Sequence, residues 1–137
     1  MIRIYCWLDF GDLSMDLIEL IVSAASEVHS VLGGPGLVES VYESALCHEL
    51  DLRKVSYQRQ VAVPVIYKGK PVRRPLFLDV LVENQIIIEV KALAVDTPYY
   101  LAQLYTHLRF MGIQKGLLIN FGKEHLKDGV TCVSNIP

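Results

Sequence analysis

The stretch Leu76-Phe77-Leu78-Asp79-Val80-Leu81-Val82-Glu83-Asn84-Gln85-Ile86-Ile87-Ile88-Glu89-Val90-Lys91 decides how this chain is read. Two apolar runs rich in β-branched residues flank a polar trio, the pattern of two antiparallel strands joined by a short loop. Side chains alternate along a strand, so Glu89 and Lys91 share a face. Two charges in so apolar a strand are costly unless something pairs, hydrates or uses them. If Glu83-Asn84-Gln85 is a three-residue loop, Val82 faces Ile86, Asp79 faces Glu89 and Phe77 faces Lys91. Asn84 tolerates the left-handed backbone that such a loop often needs. A two-residue loop would instead put Asp79 on the opposite face. In the first register Asp79, Glu89 and Lys91 converge. Two carboxylates supply hard oxygen ligands for Mg²⁺, and the lysine can orient water or neutralise charge developing on a phosphate. These are the parts for metal-assisted phosphodiester hydrolysis. Taken alone, E-x-K is so common that a surface ion pair at a strand end explains it better.

Outward from this hairpin the chain is densely punctuated. Ser14 or Asp16 caps a helix whose apolar residues, from Leu17 and Ile18 to Val28 and Leu32, recur at helical spacing. Gly33-Gly34-Pro35-Gly36 stops it, and a second helix covers about 38–53 with Val41, Ala45, Leu46 and Leu50 inward. Alternating Val61, Val63, Val65 and Tyr67 read as a strand, Pro64 marks it as an edge strand or a bulge, and Lys68-Gly69-Lys70 supplies a turn. After the hairpin, Thr97 caps a helix with Pro98 at its first position, ended by Gly112. A buried strand at 115–122 and a short one near the end complete the order ααβββαββ, an α/β sandwich around one sheet.

At 137 residues and 52% apolar, with 20% charged, the chain holds a real core and is no disordered protein. A net charge of −2 argues against a constitutive high-affinity nucleic-acid binder. It leaves room for an enzyme that touches nucleic acid through a small basic patch. Lys68, Lys70, Arg73 and Arg74 are candidates for that patch, and a solvated turn explains them equally well. Cys6, Cys47 and Cys132 lack metal-ligand spacing and read as reduced thiols. No apolar run has the length of a membrane span or the form of a secretory signal, so a cytoplasmic protein is expected. Residues 1–13 read as a poorly ordered or loosely docked extension, and 14–137 as a single domain.

Two helical clusters adjoin the hairpin in this reading. Glu39, Tyr42 and Glu43 share one helical face, although Glu39 in a first turn also has a simple dipole explanation. Gln103 and His107 share another face, where a solvated polar stripe is the expected fate of His107. Tyr99 and Tyr100 are candidates for a homodimer contact, with burial against a neighbouring helix expected for at least one.

Taken in order, these pieces resemble the GxxExxY family of the PD-(D/E)XK nuclease superfamily. Gly36-Leu37-Val38-Glu39-Ser40-Val41-Tyr42 matches the naming motif. The resemblance continues through "VPVIYKGKPV", "LDVLVENQIIIEVKAL", "AQLYTHL" and "GLLINFGKEHLKDGV", about residues 16–133. It implies a restriction-endonuclease-like core, a mixed sheet flanked by helices. It further implies Asp79 and Glu89 as metal-binding acids, Glu39 as the helical acid beside them and Lys91 as the catalytic lysine. Gln103 would bind backbone phosphate or orient a lysine. The expected activity is Mg²⁺-dependent endo- or exonuclease hydrolysis of DNA or RNA, with Mn²⁺ as a substitute. The chain departs from the pattern at "RRPLFLD", where an Arg often stands just before the aspartate, and at Tyr100, where a His is common. From a different class, a catalytically inactive binding or assembly module on the same fold would retain a remnant site. Function resides in the site, not the fold.

Overall fold

The computed structural model describes residues 3–4 and 12–135, with side chains from Asp16 onward. Its elements in chain order are β1 (Arg3–Ile4), α1 (Asp12–Val31), α2 (Glu39–Leu52), β2 (Tyr57–Val63), β3 (Ile66–Tyr67), β4 (Lys70–Pro71), β5 (Leu76–Val82), β6 (Ile86–Lys91), α3 (Pro98–Met111), β7 (Lys115–Asn120) and β8 (Val130–Ser134). A 3₁₀ turn, Leu126–Gly129, precedes β8. Six strands form one mixed sheet in the order β1-β8-β7-β6-β5-β2, while β3 and β4 make a separate small hairpin. Strands β5 and β6 pair antiparallel, and β6 and β7 pair parallel through the α3 crossover.

The sheet separates two apolar layers. On one side α1 and α2 pack Ile21, Leu46 and Leu50 against Val80, Val82, Ile86, Ile88 and Val90. On the other, α3 packs Leu104 and Leu108 against Leu78, Leu81, Ile87 and Leu118. The apolar run Ile86-Ile87-Ile88 is thus buried on both faces, as a central strand covered by helices must be. This mixed sheet flanked by helices is the restriction-endonuclease-like arrangement, and the order ααβββαββ holds once β1 and the small hairpin are added.

Several local expectations change. Helix α1 begins at Asp12, so Ser14 and Asp16 lie inside its first turns and do not cap it. Val41 is 38% exposed and the inward side of α2 is Tyr42, Glu43, Leu46, Cys47 and Leu50. The Pro64 signal holds: β2 ends at Val63 and lies at the sheet edge. Thr97 caps α3, its hydroxyl oxygen accepting the Tyr99 N–H at 3.2 Å, and Gly112 ends it in the left-handed region. Of the tyrosine pair, Tyr100 packs against the α3-side core and Tyr99 is exposed. Most of the 1–13 extension lies outside the described residues, as does Cys6; Arg3–Ile4 pair parallel with Thr131–Cys132.

Candidate active site

The β5–β6 register is the three-residue-loop register: Val82 pairs with Ile86, Leu81 with Ile87 and Val80 with Ile88. Glu83 and Asn84 both take left-handed φ values, 52° and 55°, and the Gln85 N–H donates to Val82 O at 2.9 Å. At Asp79 the regular ladder stops. The Asp79 carboxylate takes the Val90 N–H at 2.8 Å, so a side chain replaces the next main-chain bond. On the outer side, Gln60 of β2 has φ 49°, and Gln60 and Asp79 stand unpaired between Arg59–Val80 and Val61–Leu78. Alternation breaks here too, because Leu78 and Leu81 both pack toward α3. The expectation of plain alternation on one face is corrected accordingly: Asp79 sits in a gap between strands and opens toward α2.

A cleft of about 590 Å³ lies over this gap, lined by Glu39, Ser40, Glu43, Gln60, Asp79 and Val90 among others. Its α2 wall is built by the motif residues. Gly36 holds φ 121°, a backbone that L side chains rarely adopt. The Tyr42 hydroxyl donates to Gly34 O at 2.7 Å and accepts the Leu37 N–H at 3.2 Å. Its ring stacks on Phe121 with centroids 4.7 Å apart. Tyr42 therefore ties the glycine loop to the core and fixes where α2 starts, which puts Glu39 at the cleft mouth. Glu43, one turn further along α2 in the cleft wall, is buried. One of its oxygens accepts from Arg59, at 2.6 and 3.2 Å, and the other from Gln60 at 3.0 Å. The Gln60 amide also reaches Asp79 at 3.4 Å, and Arg59 is held more firmly protonated by its bond to Glu43.

Glu89 points the other way, toward α3. Its Oε1 meets His107 Nδ1 at 2.5 Å, and both residues are buried. When Glu89 is ionised it can only accept, so the ring then donates from Nδ1; Nε2 is buried with no hydrogen-bond partner among the described residues. His107 is thus corrected from a solvated helix face to the buried partner of Glu89. Burial pushes the Glu89 carboxyl up to about 7; the His107 bond opposes this and the neighbouring Asp79 charge adds to it. The expected convergence on one face is corrected: Asp79 is close enough to act on Glu89, but the two open on opposite sides of the gap, Asp79 to the cleft and Glu89 to His107. Lys91 shares the Glu89 face by alternation and is half-buried, its Nζ 4.7 Å from the centre of the Tyr100 ring. Tyr100, a departure from the resembled pattern, supports the lysine. Gln103 is half-buried on α3, and neither it nor Lys91 lines the cleft.

Gln60 and Asn120 do not stand out in the sequence, and Glu43 and His107 do so only as members of polar helical faces. Asn120 is buried at the end of β7. Its Oδ1 accepts from Leu93 and Gly122 N–H, both at 2.9 Å, while Nδ2 donates to Leu93 O at 2.9 Å and Asp96 at 3.1 Å. It thereby staples the segment after Lys91 to the strand beside it. The signal in sequence was slight: one polar residue closing an apolar strand.

Among the described residues no three His, Cys, Asp or Glu side chains form a ready-made metal cluster. Mg²⁺ commonly takes one or two carboxylates and completes its shell with water. Asp79 at the cleft and the nearby Glu89 are carboxylates of the hard-oxygen type that such a shell uses. No curated protein and no solved structure matches the chain. A family model described as the PD-(D/E)XK nuclease superfamily matches residues 15–133, nearly all of the fold just described. The chain belongs to the PD-(D/E)XK nuclease superfamily.

Proposed function

We propose that this protein is a metal-dependent nuclease of the GxxExxY type that hydrolyses phosphodiester bonds in DNA or RNA. The observation that carries the reading is Asp79, held by the Val90 N–H where the β5–β6 ladder opens beneath a cleft, with the buried Glu89 near enough to feel its charge. Asp79 and Glu89 would hold Mg²⁺ or Mn²⁺, with Glu39 at the cleft mouth as a further ligand. A divalent cation bound there acidifies water and neutralises phosphate charge. Gln60 and the Val90 N–H fix the Asp79 carboxylate, and His107 fixes that of Glu89. Lys91, braced by Tyr100, carries the positive charge that stabilises the developing phosphorane, and Gln103 binds backbone phosphate. The buried thiol of Cys47 suits a reducing cytosol; burial pushes it up to about 11, which keeps it unreactive.

The test is cleavage of linear and circular, single- and double-stranded DNA and of RNA, with Mg²⁺, Mn²⁺ or chelator. Wild type is expected to cleave only with metal, and Glu89→Ala and Lys91→Ala to lose at least a hundredfold in rate. Cleavage that survives in either variant removes that residue from the mechanism. Absence of both cleavage and metal binding in wild type would favour the inactive nuclease-fold module.

A further inference from the structure

The chain partitions its charge unevenly. Residues 52–78 contain seven of the thirteen Lys and Arg and none of the fifteen Asp and Glu, leaving the remainder strongly acidic. Arg53 pairs with Glu49 and Arg59 with Glu43. Lys68, Lys70, Arg73 and Arg74, on and beside the β3–β4 hairpin, are exposed, and none pairs with a carboxylate among the described residues. Two rings are interleaved with them: Tyr67 is 63% exposed and Phe77 is 55% exposed. Lys68 Nζ lies 5.4 Å from the Tyr67 ring centre, next to the hairpin turn formed by Lys68 and Gly69. The hairpin buries no residue of its own, so its composition is not set by the core.

Its position is equally telling. Leu76 and Leu78 pack toward α3, so Phe77 projects from the face of the sheet that bears the cleft. Phe77 precedes Asp79 by two residues, roughly 7 Å along the strand. A polyanion lying along the hairpin would therefore continue into the cleft. The rings decide which polyanion. A duplex keeps its base faces stacked and offers phosphates alone, whereas an unpaired strand can lay bases on exposed rings and its phosphates against the cations between them.

We infer that the β3–β4 hairpin together with Phe77 is a docking arm for an unpaired polynucleotide strand, with Tyr67 and Phe77 stacking bases and Lys68, Lys70, Arg73 and Arg74 contacting phosphates. The inference rests on the nuclease reading for what happens to the strand once it is bound, and on the hairpin alone for the binding.

The test is fluorescence anisotropy with chelator present, using labelled single-stranded DNA and RNA 20-mers and a duplex of equal length. Wild type is expected to bind single strands at least tenfold more tightly than duplex. Tyr67→Leu with Phe77→Leu keeps apolar bulk but removes both ring faces. It is expected to weaken single-strand binding about tenfold or more without changing the salt dependence. Lys68→Ala with Lys70→Ala should flatten that dependence by roughly 0.7 in slope per lost phosphate contact. Single-strand affinity unchanged in both double variants would overturn the arm, and so would a preference for duplex or no binding of any polynucleotide. Metal-dependent cleavage by wild type, assayed alongside, separates the two readings. Hairpin-dependent binding with no cleavage in wild type leaves the arm standing and fells the nuclease, whereas metal-dependent cleavage with hairpin-independent binding does the reverse.

Discussion

Glu89 and His107 stand 18 positions apart in sequence, on a strand and a helix, and each explains the other. A histidine four residues after a glutamine has the same helical periodicity whether the face is wet or buried, so the sequence could not say which. The partner that settles it lies on a different element. Asp79 was legible as a site acid because the loop fixed its register, but its turn out of the ladder depends on Gln60 across the neighbouring strand. Glu89 also carries a stability signature. Its carboxyl titrates near 4.5 when unfolded and at about 7 in the fold. Below 4.5 both states hold the proton and nothing is lost. From there to about 7 the unfolded state releases its proton first, so stability falls as pH rises and the loss is complete above about 7. Glu89→Gln is neutral throughout and keeps an oxygen for His107. In metal-free urea denaturation the variant should be flat across this window and on the order of 1–3 kcal/mol more stable than wild type at pH 8. A wild-type slope in the variant would assign the pH dependence to other groups.

At the level of elements the sequence was most informative where local chemistry dictates geometry. Asn84 fixed the hairpin register, Thr97, Pro98 and Gly112 bounded α3, and Pro64 stopped β2 at the edge. It was least informative where a strand end is shaped from outside. The segment after Lys91 has no regular structure; it is held by Asn120 and by Lys123, whose Nζ donates to Ala94 O at 3.1 Å and pairs with Asp96 at 3.1 Å. The approach is close enough that a Cβ on Gly122 would lie 2.4 Å from the Leu93 backbone. Asn120→Ala strands the Leu93 N–H and C=O, and should cost about 2–4 kcal/mol. Hydrogen exchange at Leu93 and Gly122 should accelerate more than at Ile87 in the central strand. Uniform acceleration would mean that Asn120 stabilises the whole fold and not this segment.

Across the whole molecule, two apolar layers meet a single sheet, and the β3–β4 hairpin stands outside both. Replacing Ile66–Pro71 with a short Gly-containing turn should therefore change stability by no more than about 1 kcal/mol, a shift of a few degrees in melting temperature. A loss several times larger would place the hairpin in the folding unit. Element order made the α/β class plain, while composition showed that the chain holds a real core. Composition concealed the charge partition, because a net −2 averages a basic edge with an acidic body. One further consequence follows from the Asp79 carboxylate taking a place in the ladder. The Val90 amide hydrogen rests on an oxygen of a carboxylate that also lines the cleft. Anything drawing electron density from that oxygen weakens the bond and moves the amide resonance. The backbone thus carries its own spectroscopic reporter of occupancy, readable by nuclear magnetic resonance without a label on the site.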